Sequence, residues 1–472
     1  MHVIDFIKFG AKARQYCIVS YHFDKISKIK LVVDGLLAAL LLHVSLSTHA
    51  MDLLQIYLAA EQQDASLMAA RATASADRER LPQAKSQMLP NLSASLSHNN
   101  NQLESTTANI LGKEQTATLG YPSSNKTVTL RQPLYRPQLA AQYRQAQAQV
   151  DDASATLALE EQNLAVRVSS AYFEALLADD QLALVLSQQV AYTTQLDAAR
   201  KALAAGSGTR TDIDEAQARL DMNVALEIES QQNVTYTVQQ LQTLIDQPID
   251  KLATLNVNRL DLQMPEPNLL EYWITRAEQS SPQIQSLKAR VEMARHEVKK
   301  ASMGHYPTLD AIAQWTRSES ENIINTTSRY TNNAVGVQLN LPIFSGGYVN
   351  ASVRQAQAGR VRAEQTLEAG RRDLGLRVYK EFRGITENIA KIRALEQALR
   401  SADQLVLSSQ KSFEGGRRTV LDILNAEQQR MTVLRDLART RYLYLISKIR
   451  LLALVGGADL EAMTTVNRVL LH

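Results

Sequence analysis

Arg144-Gln145-Ala146-Gln147-Ala148 returns 210 residues later as Arg354-Gln355-Ala356-Gln357-Ala358, and this doubled stretch decides the fold. At the same offset Asp212-Ile213 returns as Asp422-Ile423 and Gly206 as Gly416, so neither copy gains or loses a residue between the anchors. Repeats of this length signal one supersecondary unit used twice about a shared axis. The repeated stretch is also heptadic. Leu157, Leu164, Ala171, Ala178, Val185, Tyr192 and Ala199 step by seven. Val168, Ala175, Leu182, Leu196 and Leu203 form a companion series, broken at Gln189, and Val378, Ile385, Ile392, Leu399, Val406 and Phe413 keep that phase in the second copy. A sustained seven-residue apolar period predicts helices packed knobs-into-holes. From Pro137 to Ala205 no further proline and no glycine intervenes. At 1.5 Å per residue this predicts a helix of roughly 100 Å, too long for an ordinary globular domain.

Outside the helical run, each copy carries a different period. Met88-Leu89-Pro90-Asn91-Leu92 matches His305-Tyr306-Pro307-Thr308-Leu309, 217 residues on, and after each proline the apolar positions alternate. Leu92, Ala94 and Leu96 alternate with Ser93, Ser95 and Ser97; Val128 and Leu130 alternate with Thr127 and Thr129 up to Pro133. In the second copy Leu309, Ala311, Ala313 and Trp315 share a face. After a loop at 322–333, Val335, Val337, Leu339 and Leu341 do the same up to Pro342. The pairs 91–134 and 308–343 thus read as strands of roughly ten residues each, the length and alternation of a tilted outer-membrane strand. A half-buried hairpin on a soluble protein has the same alternation. Four strands cannot enclose a lumen, and a bilayer tolerates no open edge, so spanning strands would have to be pooled from several chains.

The remaining segments are plainer. Residues 52–88 read as helix, with Leu53, Ile56, Tyr57, Ala60, Leu67 and Ala70 at helical spacing, and their counterpart begins at Leu269-Leu270. Leu255 to Leu262 reads as a short strand, and Asn258-Arg259 recurs as Asn467-Arg468. Each copy therefore ends in one small element, an outer belt on the helical body, although the first reads equally well as a linker. The two copies take residues 51–262 and 263–472. Ahead of them, Lys25, Lys28 and Lys30 precede an apolar run from Leu31 to Leu46 that ends in Thr48-His49-Ala50, the pattern of a secretory signal peptide over 1–50. Asp34 lies inside the run and some two dozen residues precede Lys25, so the leader is extended or translation starts further in. The only cysteine, Cys17, lies upstream of the expected cut, which leaves neither a disulfide nor a cysteine for a lipid anchor.

Composition narrows the function. Residues 1–50 hold six of the 51 basic and three of the 48 acidic side chains, leaving 45 of each, so nucleic-acid binding has no electrostatic support. Aromatics are 5%, which suits close helix packing better than a large globular core. Mean hydropathy is −0.22, and no stretch after residue 50 offers the ~18 apolar residues of a spanning helix. His296-Glu297 lacks a second histidine four residues on, so it is not a zinc helix, and the glycines sit in turns rather than in a phosphate loop. No enzyme chemistry, metal or cofactor is expected.

Residues 52–470 resemble the TolC family of outer-membrane efflux and type I secretion channels. The resemblance rests on the prolines opening each strand pair, on Gln132-Pro133-Leu134-Tyr135, and on Leu341-Pro342-Ile343-Phe344-Ser345-Gly346-Gly347. It rests also on the turns Gly206-Ser207-Gly208-Thr209-Arg210-Thr211-Asp212-Ile213 and Gly415-Gly416-Arg417-Arg418-Thr419-Val420-Leu421-Asp422-Ile423-Leu424. It implies a mainly α chain with membrane β. Four strands per protomer would join a shared trimeric outer-membrane β-barrel, and long coiled-coil helices would form a periplasmic α-barrel. The function implied is a passive exit duct in the outer membrane of a Gram-negative bacterium, for protein secretion or small-molecule efflux. The partners implied are two further copies, outer-membrane lipid, a periplasmic adaptor and an inner-membrane ABC or proton-driven pump. A soluble periplasmic coiled-coil adaptor is the competing reading, against which stand two full copies, each with its own strand pair.

The resemblance also implies a gate at the helical turns. Asp422 matches a pore aspartate, and Asn425, on the same helix face, occupies the place of a second one. Arg418 matches the arginine of a closing polar link and Asp212 its acidic partner, while Phe413 stands where a tyrosine hydroxyl is expected. Gly206, Gly208, Gly415 and Gly416 form the turns on which the adaptor would dock. On spacing alone, Asp212 and Asp422 read equally as caps of free backbone N–H groups at helix starts.

Overall fold

The computed structural model describes residues 50–108, 110–321 and 327–471; all but the last residue of the expected leader lies outside them. In the first copy the elements are α1 (Leu53–Gln63), α2 (Ala65–Arg78), α3 (Arg80–Ser86), β1 (Asn91–Ala108), β2 (Glu114–Tyr135), α4 (Pro137–Ala204) and α5 (Arg210–Ile245). In the second they are α6 (Leu270–Ser280), α7 (Pro282–Ser302), β3 (Thr308–Glu321), β4 (Thr327–Asn340), α8 (Tyr348–Glu414) and α9 (Val420–Leu454), followed by α10 (Leu460–Asn467). The long uninterrupted helix expected from Pro137 is α4, of 68 residues, and α8 repeats it with 67. Pro137 sits in the first turn of α4, where its missing N–H has no intrahelical partner to lose.

Most heptad positions point inward; Leu157, Ala171, Leu182, Leu399 and Phe413 are half-buried and Leu203 is exposed. Leu164, Ala178, Val185, Tyr192 and Ala199 are buried on α4, and Val378, Ile385, Ile392 and Val406 on α8. Each long helix folds back on its shorter partner, α4 on α5 and α8 on α9, and α9 also packs along α4, which joins the two copies. Where they join, Tyr172 and Phe173 of α4 meet edge-on at 5.6 Å, and Tyr442 of α9 stacks on Phe173 at 5.8 Å. The Tyr172 hydroxyl donates to the carbonyl of Ala253 at 2.7 Å, so the ring is buried without an orphaned polar atom.

Three local expectations differ. Residues 52–88 form three helices, because Asp64 takes extended backbone (φ −62°, ψ 114°) and caps α2 by accepting from the N–H of Leu67 at 2.7 Å. Arg167 of α4 donates to the same carboxylate at 2.9 Å, so the break is also a tie to the long helix. Leu255–Leu262 is not a strand. Leu255 makes a single antiparallel bridge to Leu470, and Val257–Arg259 is one 3-10 turn. The end of the chain returns to its start, since Asn467 donates to the Asp52 carboxylate at 3.0 Å while Asp52 caps α1.

The strands are longer than ten residues. β1 and β2 run 18 and 22, and β3 and β4 run 14 each, with β4 taking in residues 327–333 of the expected loop. Ser, Thr and Asn extend the ladder past the apolar alternation, because the pairing is made by backbone. The four form one antiparallel sheet in the order β1-β2-β3-β4, with β1 and β4 at the edges. Register aligns the apolar positions across all four strands. Leu92 faces Leu130, Leu130 faces Ala313, and Ala313 faces Val335. On the opposite face Ser93 aligns with Thr129, Thr129 with Gln314, and Gln314 with Ala334. The apolar face is uncovered within one chain, with Leu96 at 76% and Val335 at 88% exposure. Near the base of the sheet, Asp310 accepts from Arg131 (Nη2, 2.6 Å) and Arg136 (Nη2, 2.6 Å), fixing the β2–α4 junction to β3.

A charge on the apolar face should block assembly where the same charge one residue away does not. If this face meets lipid near the bilayer midplane, Leu130→Lys costs about 2–4 kcal/mol per chain. Outer-membrane fractionation and heat-resistant oligomer mobility on gels should show loss of assembled protein for Leu130→Lys and normal assembly for Thr129→Lys.

Candidate functional site

The helical turns at the far ends of the two hairpins are built alike. After Ala204 the chain reverses through Gly206 at φ +78°, and after Glu414 through Gly416 at φ +70°, a backbone region that side chains disfavour. Gly208 is required by space, since a Cβ there would stand 2.9 Å from the backbone N of Leu203. Thr209 and Thr419 then open α5 and α9 with matching capping boxes. Asp212 Oδ2 accepts from the backbone N of Thr209 at 3.0 Å and its hydroxyl at 2.7 Å; Asp422 Oδ2 accepts from Thr419 at 2.9 and 3.0 Å. The bonds from the backbone N–H and hydroxyl of Thr419 hold the Asp422 carboxyl below the usual carboxylate range, with Arg418 adding to the effect. Both aspartates therefore cap their helices, and the cap of Asp422 persists at neutral pH.

The other expected gate residues go to different partners. Arg418 Nη1 donates to the buried Ser409 hydroxyl at 2.8 Å. Within one chain it does not meet Asp212. Phe413 packs with Leu220 against the buried cluster of Tyr192, Val420 and Leu424, replacing a polar link by apolar contact. Asn425 is engaged as well: its side-chain oxygen accepts from Arg219 Nη2 of α5 at 3.1 Å, and Arg219 Nη1 also donates to Gln428. Arg219 was not singled out by the sequence. Its signal is spacing, since it lies seven residues, two helical turns, after Asp212 and on the same face.

A second polar pair lies further from the turns. Asp180 of α4 accepts from the Tyr442 hydroxyl of α9 at 2.6 Å. Burial pushes the Asp180 carboxyl above its ordinary range, against the lowering effect of the Tyr442 hydrogen bond. The clue in the sequence is Asp179-Asp180 set between the heptad positions Ala178 and Leu182. Among the described residues no His, Cys, Asp and Glu cluster suits a metal ion, and no helix is long and apolar enough to cross a membrane.

A sheet apolar on one face and polar on the other, open at both edges and carried on paired antiparallel helices, defines the protomer of an outer-membrane channel. The chain belongs to the outer membrane efflux protein family, whose model matches residues 56–247 and 273–457. It is 31% identical to the proteases secretion protein PrtF of Dickeya chrysanthemi, over 88% of this chain and 90% of that one. It is 34% identical to the alkaline protease secretion protein AprF of Pseudomonas aeruginosa over 72% of each chain. To the outer membrane protein TolC of Vibrio cholerae it is 27% identical, over 90% of this chain and 95% of that one. The crystal structure of the outer membrane protein VceC of Vibrio cholerae shares the fold, with a TM-score of 0.71 at 18% identity over 86% of this chain and 97% of that one. This protein is an exit duct of the outer membrane that extends into the periplasm.

Asp180 supplies a pH test. Its folded-state pKa is raised, so the folded state holds the proton more tightly than the unfolded chain. Stability therefore rises as pH falls through the folded pKa towards the unfolded value. Asp180→Asn keeps an acceptor for Tyr442 without a charge to desolvate. The variant should melt no lower than wild type at neutral pH, and acidification should shift the difference in favour of wild type. Thermal melts of the detergent-solubilised proteins across this range would check both statements.

Proposed function

We propose that this chain is the outer-membrane duct of a type I protein secretion system, working as a homotrimer closed at its periplasmic end by the helical turns. The open-edged amphipathic sheet carries the reading. Three copies would pool twelve strands from a four-stranded sheet, within the range of known outer-membrane barrels, and would satisfy the edges of β1 and β4. A periplasmic adaptor and an energised inner-membrane pump would supply cargo. Similarity above 30% to two protease secretion proteins favours protein cargo over drug efflux. In this reading residues 1–50 are the export leader, and the two repeats span 51–262 and 263–472.

At the constriction, the Asp422 cap uses only Oδ2, which leaves Oδ1 to face the pore as a ring of three partial charges. Asn425 adds no charge to that ring. Arg418 and Asp212, separate within a chain, are candidates for a link between neighbouring chains, with Phe413 supplying contact in place of a hydroxyl. The exposed turns at Gly206, Gly415 and Gly416, with the half-buried Gly208, form the surface for the adaptor.

Two measurements test this. In planar bilayers the purified protein should give a small, cation-selective conductance, and Asp422→Ala should lose that selectivity; unchanged selectivity would remove Asp422 from the constriction. In Dickeya chrysanthemi cells that lack only PrtF, expression of this chain should restore protease to the medium. Stable assembled protein without secreted protease would argue against the protein-secretion reading.

A further inference from the structure

The two helical hairpins of one chain must keep a fixed relation if their turns are to close a pore, and the structure shows how few contacts impose it near the turns. Among the described residues, three polar bridges join α4 or α5 to α9. Two lie well away from the turns: Tyr442 to Asp180, and Arg450 Nη2 to the Ser170 hydroxyl at 3.3 Å. The third is Arg219, which reaches from α5 to both Asn425 and Gln428 on successive positions of one face of α9. Beside it, a groove of about 760 Å³ runs between α4, α5 and α9, lined in part by Met222, Leu226, Leu421 and Met431. The remaining junction at this end is the apolar cluster of Tyr192, Val420 and Leu424 with Leu220 and Phe413.

These two junctions constrain different things. Apolar contact is non-directional and allows one helix to slide or rotate on another. Hydrogen bonds from a planar guanidinium to two acceptors a helical turn apart fix both register and rotation. The bridge also breaks the internal repeat. Residue 429, the counterpart of Arg219, is glutamine, and residue 215, the counterpart of Asn425, is glutamate. The symmetric turns and caps are thus supplemented at one asymmetric point.

We propose that Arg219 is the latch that holds the α8–α9 hairpin against the α4–α5 hairpin near the closed turns, and that opening requires its bonds to Asn425 and Gln428 to break. It is a positioning residue, acting on the pore through the placement of α9 and of Asp422 at its start. The inference rests on the proposed closure at the turns. Asn425, which offers the pore no acidic charge, serves here as an acceptor.

Single-channel recording of the full-length assembled protein tests the latch. Arg219→Ala removes the bridge. Open probability should rise about tenfold or more, the lower end of what loss of one net hydrogen bond to a charged group implies. Arg219→Glu should do the same, and Arg219→Gln combined with Gln428→Arg should return the channel to its wild-type open probability by restoring the pair in reverse. Asp422→Ala is recorded in parallel. If both Arg219 variants insert as oligomers yet open no more often than wild type, the latch is wrong; a change of selectivity in Asp422→Ala would then leave the constriction standing. If the Arg219 variants alter ion selectivity without altering open probability, Arg219 is a pore charge and the latch is also wrong. Failure of the reversed pair to restore closure would overturn the pairing itself.

Discussion

Everything in this chain answers to the unpaired backbone at the edges of its sheet. β1 offers an 18-residue edge and β4 a 14-residue edge, and an unsatisfied N–H or C=O in hydrocarbon costs several kcal/mol. Hydrophobic side chains alone cannot repair that, because lipid neither donates nor accepts. In the proposed assembly the apolar face through Leu92, Leu130, Ala313 and Val335 lies against lipid and the serine and threonine face against water, and ring closure with other copies would satisfy both demands.

The helices follow from that requirement. In the proposed assembly, strands pooled into one barrel would have to be delivered by bodies that pack side by side. Asp310 accepts from Arg131 and Arg136 where the sheet passes into α4, so the two architectures meet at a carboxylate held by two guanidiniums. At the other end, the Thr209–Asp212 and Thr419–Asp422 boxes start the returning helices in the same way in both copies. A capping box satisfies orphan N–H groups whatever else the site does. The capping and pore readings of Asp422 are therefore compatible, because the cap occupies a single carboxylate oxygen.

Departures from the repeat carry the individuality of the protein. Arg219 joins the copies near the turns and Tyr442 with Asp180 joins them further along, both between non-equivalent positions. Two identical hairpins would have nothing to distinguish one mutual arrangement from another. Directional bonds made once in each chain remove that degeneracy, while the apolar cluster around Leu424 supplies adhesion.

The sequence by itself determined the duplication, the long helices, the alternation of the four strands and the positions of the turns, since each of these is a local period or a local punctuation. Heptad spacing alone marks the buried face of α4, and glycines at 206 and 416 mark the reversals. Only the tertiary structure decided what depends on residues distant in the chain. It placed β2 beside β3, took Arg418 to Ser409 within the chain, and gave Asn425 to Arg219. It also split residues 52–88, where Asp64 serves both α2 and Arg167. Periodicity fixes which face of an element is apolar. Which polar group a long side chain reaches is set by the packing of whole helices, and that is not written in any local stretch.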